Sequence, residues 1–137
     1  MSYPPAPPSR IAIAALGEPE YRGSVQYLYA APEHPAYLVC QTTEAGSVFD
    51  VGSIFHIPGS DLARATFRHA MYTRLSQPGT WQRVKDAINS DTALPAEWQA
   101  ELLRGPLEAM LESGARTHHA GMLDAATGQV VSGALPD

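Results

Sequence analysis

A chain of 137 residues has room for one domain with one hydrophobic core. Hydrophobic residues at 45% and charged residues at 17% exclude the composition of a disordered chain. Nine basic against 14 acidic residues leave a net charge of −5, which excludes a general attraction to phosphate backbones or anionic lipid, so neither nucleic acid nor a membrane is expected as partner.

Residues 1–9 carry Pro4, Pro5, Pro7 and Pro8 and no apolar pattern, and they read as a flexible proline-rich arm ahead of a single α+β domain over 10–137. The opening residues lack the charged region and apolar core of a secretion signal, and no run approaches the roughly 20 apolar residues of a membrane span. With Cys40 the one cysteine, an internal disulfide and a cysteine-based zinc site are both ruled out. A cytoplasmic location is therefore expected.

From Arg10 to Ile57 the pattern predicts an antiparallel meander: RIAIAAL, SVQYLYA, AYLVCQT and SVFDVGSIFHI, separated by GEPEYRG, APEHP and TEAG. The TEAGS stretch suits a three-residue hairpin loop with Gly46 at the left-handed position of a bulge, pairing Thr43 with Ser47 and setting Cys40 opposite Asp50. If APEHP pairs Ala30 with Ala36, one sheet face carries Tyr27, Tyr29, Val39 and Phe55 and faces the core. The other presents Leu28, Leu38, Cys40, Val48 and Ile54, too apolar for a freely solvated surface. Leu38, Val48 and Ile54 are accordingly the candidate interface residues, and Cys40 is expected to be a buried, slow-reacting thiol.

After Pro58-Gly59 the periodicity turns helical over about 60–113. Ser60 or Asp61 caps a first helix with the stripe Phe67, Met71, Leu75, and Thr80 caps a second with Trp81, Val84, Ile88. Pro95 suits the first turn of a third, striped by Trp98 and Leu102, and PLEAMLES forms a fourth that Gly114 terminates. These three to four helices are expected to pack on one sheet face. Residues 116–132 predict a C-terminal hairpin turned by Asp124 and Gly128. Strands, then helices, then a hairpin make an α+β fold, since strands and helices do not alternate.

Candidate chemistry is sparse. His118 and His119, with Arg116 nearby, are the weak catalytic candidates, but on a strand adjacent side chains diverge and cannot hold one metal. No metal motif is present, and the best assembled alternative is Glu33 with His34 and His56 at a sheet end. Ser53 lacks the nucleophile-elbow pattern, and no glycine-rich phosphate loop occurs. No cofactor is implied, and the absence of a catalytic motif weighs against an enzyme. Arginines cluster in the first helix, at Arg64, Arg68 and Arg74, whereas Glu97, Glu101, Glu108 and Glu112 mark residues 97–112. The expected function is a small cytosolic non-catalytic interaction or accessory protein, a homodimer through the apolar sheet face or a binder of another protein. The alternative is a small-molecule site or modest enzyme, with Tyr27, Tyr29, Arg64 and Arg68 as weak ligand-binding candidates in a pocket between sheet and helices.

Overall fold

The computed structural model describes residues 6–47, 52 and 55–133. The fold is α+β, with antiparallel sheets and, among the described residues, four α-helices. A meander of β1 (Tyr21–Arg22), β2 (Gln26–Ala30) and β3 (Leu38–Thr42) forms where aromatic and β-branched residues concentrate. Its register sets Leu28 across from Cys40 and Ala30 across from Leu38. That is two residues from the Ala30–Ala36 pairing expected, because consecutive turns closed by His34 N–H to the Ala31 carbonyl and Tyr37 N–H to the His34 carbonyl take up the chain as far as Tyr37. A two-residue shift leaves every side chain on its expected face.

The hairpin expected at TEAGS does not form. Ala45 and Gly46 make a short β4 that pairs with β5 (Phe55–His56), Gly46 lying across from Phe55. Gly46 is absent from the positive-φ glycines and is needed for space instead, since a Cβ there would run into the Phe55 ring. Among the described residues Cys40 has Leu28 as its strand partner. The expected partner, Asp50, lies outside the described residues, as do Val48, Phe49, Val51, Ser53 and Ile54.

IAIAAL, expected as a strand, contains a single 3-10 turn at Ile13–Ala15, consistent with the high helical propensity of alanine. Just before it the chain pairs with the C-terminal hairpin. Val130 N–H donates to the Ser9 carbonyl, Ile11 N–H to that of Gly128, and Arg10 bridges Gln129. That hairpin consists of β6 (Met122–Leu123) and β7 (Val130–Val131), shorter than the expected span because residues 116–121 are not strand. Asp124 organises its turn, accepting the Ala126 N–H on its carboxylate and the Gly128 N–H on its carbonyl.

The helices are α1 (Ser60–Leu75), α2 (Pro78–Ser90), α3 (Ala96–Leu102) and α4 (Pro106–Ser113). α2 starts two residues before Thr80, with Pro78 in its first turn, where a missing N–H costs nothing. Gly114, at φ 74°, ends α4. The described residues fall into two compact units, one within Met1–His69 and Ala120–Asp137, the other within Ala70–His119. Ile11, Ala31 and Ala45 are buried in the first and Leu107 in the second.

Candidate functional site

Antiparallel partners share a sheet face, so the register puts Tyr21, Leu28 and Cys40 in one row and Ala30 with Leu38 in the next. Leu38 is 60% exposed, Tyr21 and Cys40 are exposed, and Leu28 is half-buried. The burial expected for Cys40 is thus corrected: its side chain is exposed, and among the described residues β2 is the strand paired with β3. Its thiol lies 3.4 Å from Gln26 Oε1, and Arg68 of α1 donates to Sγ across 3.7 Å. Of the three interface candidates, Leu38 is on this open apolar face, and Val48 and Ile54 are outside the described residues.

The opposite face carries Tyr27 and Tyr29. The Arg22 guanidinium sits 5.3 Å from the Tyr27 ring centre, and the Tyr29 hydroxyl donates to Gln41 Oε1 at 2.7 Å. Arg64 donates to the carbonyls of Ser60, Thr43 and Ala45, pinning the start of α1 to the 43–45 segment. Arg68 and the two tyrosines consequently stand on opposite sides of the sheet, and Arg64 is engaged with backbone.

Two helices present their faces in an unexpected sense. In α1 the side chains turned inward are His69, which donates from Nε2 to the Gly133 carbonyl at 2.6 Å, and half-buried Tyr72. Phe67 is 70% exposed and Met71 is exposed, although their spacing predicted a core stripe. In α3 the residue turned toward α2 is Gln99, whose Nε2 donates at 2.9 Å to the Ile88 carbonyl, which also accepts the Asp91 N–H at the end of α2. Trp98, 63% exposed, and Leu102 point away. In both helices a hydrogen-bonding side chain, His69 or Gln99, occupies the inward position, and the apolar stripe faces outward.

The histidine pair gathers at Tyr72. The His119 ring stacks on it at 5.2 Å and 17°, and the His118 ring meets it edge-on at 5.4 Å and 72°. Divergence was expected from strand geometry, but residues 116–121 are a loop, so both rings reach one aromatic. The same loop is fastened by Ala115 N–H donating to the Leu75 carbonyl, and Arg116 lies exposed within it. Sequence spacing alone had no means of pairing Tyr72 with residues more than 40 positions away; these contacts clasp the loop to the end of α1.

A shallow depression of about 280 Å³ is lined by Ala6, Pro8, Glu33, His34, Pro35 and Tyr37 among others. His56, expected beside Glu33 and His34, belongs to β5, where it pairs with Ala45. Among the described residues no three His, Cys, Asp or Glu side chains gather in a way that could hold a metal ion, and no helix is long and apolar enough to cross a membrane. Comparison with protein-family models, with curated proteins and with solved structures finds no match to this chain.

Proposed function

We propose that this chain is a small non-catalytic interaction protein that associates with itself through the Leu38 face of the β1–β3 sheet. The observation that carries the reading is Leu38 itself, a large aliphatic side chain 60% exposed on the same sheet face as exposed Tyr21 and half-buried Leu28. Burying such a patch against a second copy removes about 25 cal/mol of unfavourable hydration per Å² of apolar surface, and two identical patches meet naturally across a two-fold axis. A lone free cysteine suits a cytoplasmic setting. A small-molecule site built from Tyr27, Tyr29, Arg64 and Arg68 has less support, because these groups do not face one another. Light scattering on the wild type and on Leu38→Arg tests the proposal. A dimer that becomes a folded monomer is expected, since the substitution puts a charge into an apolar seam. A wild type that is monomeric, or a variant that still dimerises, overturns it.

A further inference from the structure

We infer that α1 and α3 carry the two halves of a second contact between copies of this chain, the Phe67–Met71 stripe of one copy seating on the Trp98–Leu102 stripe of another. The inference rests on the self-association reading but concerns a different surface. All four side chains are exposed, and in each helix the pair is spaced by four residues, so each forms a continuous apolar ridge. Two such ridges packed together supply the dry, aromatic-rich centre from which interface energy mostly comes.

The surroundings of the ridges identify the occupant. α1 has three arginines against one acid, Asp61; Arg64 is held by backbone carbonyls and Arg68 by the Cys40 thiol, which leaves Arg74 as the cation beside the ridge. Arg74 is one turn beyond Met71, on the same side of the helix, and is exposed. Ala96–Ser113 has Glu97, Glu101, Glu108 and Glu112 against one base, Arg104. Glu101 lies one turn beyond Trp98. Its bridge to Arg104 is exposed on both sides, and such a bridge exchanges readily for another partner. A basic aromatic ridge and an acidic aromatic ridge are complementary, and because one chain carries both, a second copy always brings the matching half. Charge complementarity of this kind steers encounter and selects the partner, and the apolar ridge supplies the affinity. The surfaces differ, so the contact is heterologous, unlike the self-matching sheet face.

The test is a charge exchange read by sedimentation velocity over a range of protein concentrations. The proteins are the wild type, Arg74→Glu, Glu101→Arg and the double variant, all made in the Leu38→Arg background so that the sheet contact is silent. Each reversal alone is expected to weaken the remaining association about tenfold, and the double variant to return to within about threefold of the background protein. Phe67→Gln, an exposed change that leaves the fold intact by circular dichroism, should weaken it as much as either reversal. Association that ignores all three changes overturns the inference, as does a double variant weaker than both singles. A Leu38→Arg background with no residual association at any concentration also overturns it while leaving the sheet proposal standing. A wild type monomeric at every concentration removes both.

Discussion

His69 Nε2 donates to the Gly133 carbonyl at 2.6 Å, and the imidazole that makes this bond is only 1% exposed. A helix side chain thus holds the segment that follows β7, and it does so from a buried position where an unmade hydrogen bond is expensive. Replacing His69 with Leu keeps the approximate volume but leaves the carbonyl without that donor, and a loss of about 1–3 kcal/mol is expected in urea unfolding. His69→Gln retains a donor and should lose less than half as much. Equal losses for the two variants would show that packing, and not the bond, is what the site needs.

The outward ridges make a prediction of opposite sign to the usual rule for aromatic residues. Phe67→Gln should change monomer stability by less than about 0.5 kcal/mol, as for an ordinary surface substitution, whereas Leu107→Ala should cost about 2–5 kcal/mol because Leu107 is buried in α4. Urea unfolding at low concentration, where association is minimal, measures both.

Features encoded by local chemistry were legible in the sequence, and features that depend on distant partners were not. Gly114 at the end of α4 and Asp124 with Gly128 in the last turn follow from backbone preferences of single residues. Gly46 misled, since the same residue serves either a left-handed turn or a close approach, and only the position of Phe55 decides between them. The ridges of α1 and α3 were found at the right spacing but assigned to the wrong side, because periodicity shows that a helix is two-faced and not which face is turned inward. The inward positions are held by Gln99 and His69, whose partners are carbonyls outside their own helices. For the same reason the meeting of His118 and His119 at Tyr72 had no sequence signal.

The Asp124 turn links stability to pH. The backbone N–H of Ala126 and then the Thr127 side chain stabilise the carboxylate and hold its pKa below the ordinary aspartate value, outweighing desolvation, with a lesser contribution from the Thr127 N–H. A carboxyl with a depressed folded-state pKa contributes stability that is complete above its unfolded value and is lost as pH falls through the lowered folded value. The protection of the Gly128 and Val130 amides, taken relative to their intrinsic exchange rate at each pH, should therefore fall as the solution is acidified below about pH 4, and Asp124→Ala should show low protection at every pH. Acid-independent protection in the wild type would contradict this origin for the turn.

Cys40 provides the most direct test of self-association through the sheet, because it lies in the proposed seam, is exposed in the single chain, and requires no substitution. The measurement is the rate at which a thiol reagent modifies folded wild-type protein, followed from low micromolar to near-millimolar chain concentration alongside the mass from light scattering. Labelling that is rapid in dilute solution and slows at least about tenfold as the dimer forms is the expected result, since a thiol inside an interface is reached only after dissociation. A labelling rate that stays constant while the mass doubles, or a mass that never rises, would contradict an interface on the Leu38 face.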